Sequence, residues 1–556
     1  MSIARGHEGC DLLDRSKAAL IVRSPKTLVI GALLLITLLF GAIRFRLRNM
    51  PLERDEGEYA YSGQLLLQGI PPYKLAYNLK LPGIYAAYAV ILALFGQTAS
   101  GIHLGLLLIS AASSVLIFLL TARLFGSLAG VVAAASYSLF CASPSVMGFE
   151  AHATNFVVAP ALLGIMLLLQ GLQSRGRWLF FASGLLCGIA FLMKQHGVFF
   201  SFFCFFYLIL SGWKQKQGWR DLLSEACALA VGFLLPYAVM CWLLYRMDVF
   251  HEFWFWTVSY AGEYSNMGLR RGIHAFLENY GAIVRANCVI WLIAFIGLIA
   301  PLWNERARRH FGFTLGLLFF SFLALCPGAY FRPHYFVLLL PVAAMLTGVG
   351  VSSVSSMMEA LAGSGRHRLV AVIPVLIFLA AFGSSVFRQR QFYFSLDPVA
   401  ALQATYGTNP FSAAMKTADY VRQNSADTAR IAVLGSEPEI YFYARRRSAT
   451  GYLYMYSLIM RQKYTARMQE ELIQEVETNR PEYLVYVDVA ESWGERDRAP
   501  QASAFLAWLR EYSNTYYERD GVAELGDSAT YVWGDAAKSY TPSSRQAIYV
   551  LRRKRQ

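Results

Sequence analysis

Charge is scarce in this chain: 15% of its 556 residues are Asp, Glu, Lys or Arg, against about 25% in soluble domains. With 56% hydrophobic residues and a mean hydropathy of +0.39, that scarcity excludes an ordinary soluble domain and points to a polytopic membrane protein. Cysteine is sparse as well. All eight cysteines precede residue 330, and none stands in Cys-x-x-Cys or Cys/His ligand spacing, so neither a disulfide framework nor a cysteine metal centre is encoded. Gly-x-Gly-x-x-Gly spacing and a Walker lysine are missing, so the turn Gly435-Ser436-Glu437-Pro438 does not read as a nucleotide loop. Repeats and low-complexity tracts are missing too. No small-residue cleavage site follows an apolar core in the first 26 residues, which makes Thr27 to Ile43 a retained helix rather than a removed signal.

What is present is a series of apolar runs long enough to cross about 30 Å of hydrocarbon. They lie near 27–43, 101–122, 127–145, 154–172, 178–193, 197–212, 225–245, 286–302, 311–330, 335–353 and 369–387, about eleven transmembrane helices in all. One further run, Leu81 to Phe95, reaches only about 22 Å as a helix and decides the orientation. If it lies in the interface, Arg123, Arg175, Arg177, Lys214, Lys216, Arg220, Arg306, Arg308, Arg309, Arg366 and Arg368 share the N-terminal side, against Lys194 and Arg332 opposite. The positive-inside rule favours that reading. Arg44, Arg46 and Arg48 beyond the first span nearly balance Arg15, Lys17, Arg23 and Lys26 before it, so the first span argues little by itself. The expected organisation is a cytoplasmic segment 1–26, a membrane domain 27–387 with outer loops 44–100 and 247–285, and an extracytoplasmic domain 388–556. The expected location is a cytoplasmic (inner) membrane with the N-terminus inside. Orientation also accounts for the net charge of +14: the basic residues crowd short loops, and no nucleic-acid partner is implied.

The first outer loop opens on Arg54-Asp55-Glu56-Gly57-Glu58-Tyr59. Glu56 to Gln68 reads as a short amphipathic helix stopped by Gly69, Pro71 and Pro72. Asp55 and Tyr59, one turn apart, share a face, whereas Glu58 is set aside as lying off it. Lys80 and Pro82 lead into the second interfacial helix. Acids at a helix start also fit plain N-terminal capping.

A first outer loop with Asp-Glu-x-x-Tyr, a Gly-x-Pro-Pro-Tyr turn and Lys-x-Pro before a second interfacial helix resembles the GT-C glycosyltransferases. It is most similar to the protein mannosyltransferase-like family 39, which includes the lipid A aminoarabinose transferases. The resemblance implies a GT-C-like bundle with two interfacial helices in the first outer loop and transfer of a sugar, with inversion, from a polyprenyl-phosphate donor. The acceptor would be an extracytoplasmic glycan, lipid or protein among the membrane lipids. It implies Asp55 as the catalytic base with Glu56 positioning it, and Tyr59 and Lys80 on the phosphate side. One of Arg270 and Arg271 would clamp phosphate, the choice between them open, with Arg332 and Tyr335 behind. Cofactors are not required by this reading, and it commits to no metal.

Lys194, His152 and His334 stand at span ends on the same side and extend the candidate pocket. Glu150 with His152 is too small a set to define an ion site. Trp254, Trp256, Tyr260, Glu263 and Tyr264 in the long outer loop read as an interface belt. After Phe387, strand-like Ile431 to Leu434 and Tyr483 to Val487 alternate with helical Phe411 to Gln423 and Ala502 to Tyr512, a small α/β domain. Its run of Tyr441, Tyr443, Arg445, Arg446, Arg447, Tyr452, Tyr454 and Tyr456 reads as a lid or acceptor-selecting surface. The rival function is a transporter or flippase of lipid-linked sugars, which would place ionisable groups near mid-membrane; they are nearly absent there.

Overall fold

A computed structural model describes residues 25–264, 268–362, 367–407, 409–494, 499–526 and 529–555. Most of the expected N-terminal segment and Arg366 lie outside the described residues. All eleven apolar runs are helical. Six of them are long and apolar enough to cross a membrane, and a seventh is the bent pair Arg270–Ala286 and Cys288–Leu302, which turns through 102°. The remaining four, Ser127–Cys141, Arg177–Met193, Phe311–Leu323 and Ile373–Arg388, are shorter apolar helices. Leu340–Leu361 is the central helix, 78% buried, while the first helix is 17% buried and stands at the periphery. Helices Arg177–Met193 and Trp219–Arg246 cross at Gly184 and Gly232, where a Cβ on either would strike the other's carbonyl oxygen. Without a hydrophobic drive between helices in lipid, such small-residue contacts supply the packing.

The Gly83–Phe95 helix runs alongside Arg54–Leu67, with Gly63 against Tyr88 and Ala89. Its N-terminal flank, Lys80, sits beside Asp55, and just past its other end Gln97 accepts a hydrogen bond from Gln64 at 2.9 Å. His103, at the start of the next span, bonds Glu56 and the Arg48 carbonyl. Both flanks therefore stay at one end of the bundle, with the helix packed beside Arg54–Leu67.

The arginines that confuse the charge count have structural work. Arg44 is 6% exposed and donates to the Gly148 and Cys141 carbonyls at 2.7 and 3.0 Å. Arg46 donates to the carbonyls of Phe392, Tyr393 and Leu396. They join the first helix to the loops it meets, and so report little about which side they face.

The C-terminal domain holds a mixed six-stranded sheet: β1 (Arg430–Leu434), β2 (Arg447–Ser448), β3 (Tyr483–Asp488), β4 (Tyr517–Glu524), β5 (Thr530–Trp533) and β6 (Ala547–Arg553), in the order β2-β1-β3-β6-β4-β5. β1 pairs in parallel with β2 and β3, and β6 runs antiparallel between β3 and β4. The domain docks directly on the segment 44–100. A Cβ at Gly57 would meet the Glu439 backbone nitrogen at 2.5 Å, so only glycine lets helix Arg54–Leu67 lie this close to helix Glu439–Ala444. Arg54 donates to the Ser436 carbonyl and to Glu437 at 2.9 Å, and the Tyr77 amide donates to the Gly451 carbonyl at 2.6 Å.

Candidate active site

Helix Arg54–Leu67 starts with a reciprocal cap: the Glu53 side chain accepts from the Glu56 amide at 2.8 Å, and Glu56 accepts from the Glu53 amide at 3.3 Å. This is a capping box with glutamate in the cap position. Capping is thus the work of Glu53 and Glu56, and Asp55 takes no part in it. Glu56, expected to position Asp55, turns away from the cavity. Its carboxylate is buried, accepts from the Ala151 amide at 2.7 Å and pairs with His103 Nε2 at 3.0 Å. It anchors the helix to the loop at Ala151 and to the helix Ala99–Phe125.

Asp55 accepts a hydrogen bond from Lys80 Nζ at 2.8 Å, and Glu58 accepts one from the same nitrogen at 2.7 Å. Setting Glu58 aside is therefore a mistake. Residues three apart on a helix are neighbours as much as residues four apart, and Asp55 and Glu58 flank one lysine. Lys80 also stands 4.5 Å from the centroid of the Tyr59 ring, a cation–π contact. Burial pushes the Asp55 carboxyl up, but Lys80, His152 and Arg332 outweigh it and hold the group well below the usual carboxylate range. Burial wins at Glu58, whose carboxyl is raised despite Lys80 and Tyr85. At Lys80 burial opposes the charge, yet Asp55 and Glu58 keep the ammonium firmly protonated.

Other loops bring their residues to the same place. Asp55, Tyr59, Lys80, His152, Lys194, Arg332, His334 and Tyr335 all line one cavity of about 450 Å³. His152 Nδ1 lies 3.8 Å from Asp55, and its Nε2 is 3.2 Å from the Tyr406 hydroxyl; burial lowers this imidazole to about 4. Lys194 stands over the Tyr335 ring at 4.2 Å. Burial, reinforced by Lys80 and Arg332, lowers its ammonium to about 7 although Asp55 opposes the shift. The lining also includes Trp256 and Tyr260 of the segment 247–285 and Tyr452, Tyr454 and Tyr456 of the C-terminal domain. Arg270 and Arg271 sit on helix Leu269–Ala286 and do not line the cavity.

Glu53, Tyr406, Asn409 and Phe411 also line the cavity and are missed by sequence reasoning. Glu53 was discoverable: an acid three residues before Glu56 is a capping-box spacing. The other three stand after the last apolar run and carry no local signal.

Asp55, His152 and His334 offer three donor atoms within 4.8 Å of one another, a carboxylate and two imidazoles of the kind zinc takes. The donor types fit, but the ring orientation does not. The two imidazoles stack at 4.0 Å with planes 18° apart, so their in-plane lone pairs run side by side rather than converging, and Lys80 already neutralises Asp55. No step below is routed through an ion.

The family model described as dolichyl-phosphate-mannose-protein mannosyltransferase matches residues 80–245. No curated protein sequence matches the chain significantly. Among solved structures, ArnT from Cupriavidus metallidurans bound to undecaprenyl phosphate superposes with a TM-score of 0.57 at 16% identity, covering 94% of this chain and 97% of that one. The apo state of that protein gives 0.59 at 15% identity over 94% and 98%. The chain has a GT-C glycosyltransferase fold. The Archaeoglobus fulgidus oligosaccharyltransferase tethered with an acceptor peptide shares the GT-C fold at a TM-score of 0.52 and 13% identity, over 95% of this chain and 76% of that one. Loops from one end of the GT-C bundle, closed over by the C-terminal domain, thus build the cavity.

Proposed function

We propose that this protein is a membrane glycosyltransferase that moves a sugar from a polyprenyl-phosphate donor to a hydroxyl of an envelope acceptor, with inversion. The observation that carries the reading is the exposed edge of Asp55 beside Lys80 in a cavity that also holds Lys194 and Arg332. A neutral hydroxyl is a poor nucleophile, and a carboxylate within reach can take its proton as the new bond forms. In the proposed step the acceptor O–H proton passes to Asp55, the acceptor oxygen attacks the anomeric carbon, and the bond from that carbon to the phosphate oxygen breaks. The lipid phosphate leaves with the electron pair. Lys80, Lys194 and Arg332 offset the charge it gains. One solved structure of the same fold, ArnT bound to undecaprenyl phosphate, supports a lipid-phosphate donor, and another, the oligosaccharyltransferase tethered with an acceptor peptide, supports an acceptor beside it. The transporter reading lacks its main requirement, since the cavity's ionisable residues come from loops and helix ends.

The test is direct: the protein in liposomes with radiolabelled polyprenyl-phosphate sugar and an envelope extract moves label from lipid to an acceptor. Label that stays on the lipid with lipid, glycan and protein acceptors all supplied overturns the reading. Mass analysis of envelope glycans with and without the protein then identifies the acceptor among lipid A, protein and polysaccharide.

The active face is proposed to be extracytoplasmic in an inner membrane, with the N-terminus inside. Lys74 is exposed in the first loop, so Lys74→Cys in intact cells reacts with an impermeant thiol reagent above the level of the unsubstituted protein. Labelling only after lysis reverses the orientation.

Lys194 introduces a pH dependence. Its ammonium, held near 7, is charged below that pH and neutral above it. An incoming phosphate favours the charged form, so affinity for polyprenyl phosphate falls as pH rises beyond 7. The advantage of the wild type over Lys194→Met, about tenfold near pH 6 for one charged hydrogen bond, shrinks with rising pH. A constant ratio of dissociation constants across pH 6–9 removes Lys194 from the phosphate site.

A further inference from the structure

Lys80 has two carboxylates, and they differ in burial and in number of partners. The Asp55 side chain is 20% exposed and faces the cavity, whereas the Glu58 side chain is 0% exposed. Glu58 also accepts from the Tyr85 hydroxyl at 2.6 Å and from the Tyr454 hydroxyl at 3.0 Å. Its three donors come from three places: the loop before the second interfacial helix, that helix itself, and the C-terminal domain. The Tyr454 hydroxyl also lies 3.3 Å from the Arg54 carbonyl, a second acceptor for the same proton, which places it at the first turn of the helix bearing both acids. A buried carboxylate with three donors is fixed, because moving it would strand charged and polar partners without hydrogen bonds. The less buried carboxylate can exchange Lys80 for another partner at lower cost.

Resting on the reading of Lys80 as a phosphate contact, we propose that Glu58 is the positioning residue of Lys80 and that the C-terminal domain acts on the reaction through Tyr454. Glu58 is the permanent anchor of the ammonium. Asp55 is its temporary one, released when the donor phosphate takes Lys80, so that the same arrival that fills the site frees the base. The C-terminal domain is then part of the catalytic apparatus, not only a surface for choosing acceptors.

A double-mutant cycle in full-length protein tests this, with kcat/KM for labelled polyprenyl-phosphate sugar and binding of polyprenyl phosphate as readouts. Lys80→Met alone must lower both; if it lowers neither, the phosphate reading of Lys80 fails, and the inference fails with it. Given that loss, Glu58→Gln, nearly isosteric, is expected to lower kcat/KM about tenfold in the wild-type background, the scale of one charged hydrogen bond, and less than about twofold in the Lys80→Met background. Tyr454→Phe is expected to lower it by about threefold in the wild-type background and to have no further effect once Glu58 is glutamine. Equal losses in both backgrounds mean that Glu58 acts independently of Lys80, through the fold, and overturn the proposal. So does full activity of Glu58→Gln, or a Tyr454→Phe loss that persists beside Glu58→Gln. A structural role alone would lower the active fraction alike in every background.

Discussion

Asp55→Asn is expected to lower the transfer rate by about 10²–10⁴-fold, the range over which a positioned general base acts, while polyprenyl phosphate still binds. Asp55 has no part in holding the helix start. The helix start is capped by Glu53 and Glu56, so asparagine at 55 takes nothing from the cap. Lys80 keeps its second partner, Glu58, at 2.7 Å, so the ammonium is not stranded. The substitution thus removes a proton acceptor and little else, and the loss falls on kcat. Transfer by Asp55→Asn in liposomes at the wild-type rate eliminates this residue as the base. A comparable loss of polyprenyl phosphate binding assigns Asp55 to the donor site instead.

Lys80→Met carries the second large effect and a different signature. Without the ammonium, Asp55 and Glu58 face each other across a buried space with no cation between them. Buried like charges do not both ionise, so one of the acids takes up a proton. Glu58, already raised by burial, takes it, while His152 and Arg332 still favour the charged Asp55, so the main loss is the phosphate contact, in the ground state and as the leaving group gains charge. Affinity for polyprenyl phosphate is expected to fall by about 10- to 100-fold, the equivalent of about 1.5–3 kcal/mol for a hydrogen bond to a charged group. The transfer rate falls further. Lys80→Arg is expected to recover part of the binding, since it restores charge but not the compact geometry of the ammonium. Titrating polyprenyl phosphate into the purified variants checks the first expectation, and unchanged affinity in Lys80→Met overturns it.

The membrane helices were legible because hydrocarbon imposes a length: every apolar run is a helix. The strands Arg430–Leu434 and Tyr483–Asp488 and the helices Phe411–Asn424 and Ala502–Tyr516 likewise stood out by their apolar periodicity. β4 did not, because Tyr517 to Glu524 interleaves Glu518, Arg519 and Asp520 with its apolar residues and reads as a loop until β6 lies beside it. The helix Leu269–Ala286 was not read out of the loop 247–285, although the 102° bend after it falls where the apolar run 286–302 begins. Within the site, Asp55 and Tyr59 were reachable by helical spacing, and Lys80 by the resemblance of the first loop to the family 39 pattern. Glu58 was within reach of the same helical arithmetic. Tyr454 was not, since no local pattern joins it to a residue 396 positions earlier.

That separation has a consequence for how the protein is made. At about 5–20 residues per second, synthesis needs roughly 20–80 s to travel from Glu58 to Tyr454. During that interval the acids of the first loop stand without the tyrosine, the Ser436 carbonyl and the Glu437 carboxylate that later enclose them. The nascent loop exists before its reaction chamber does. Chemistry at the membrane surface therefore waits for the end of the chain, and a ribosome that stops early releases a set of helices with no competent centre.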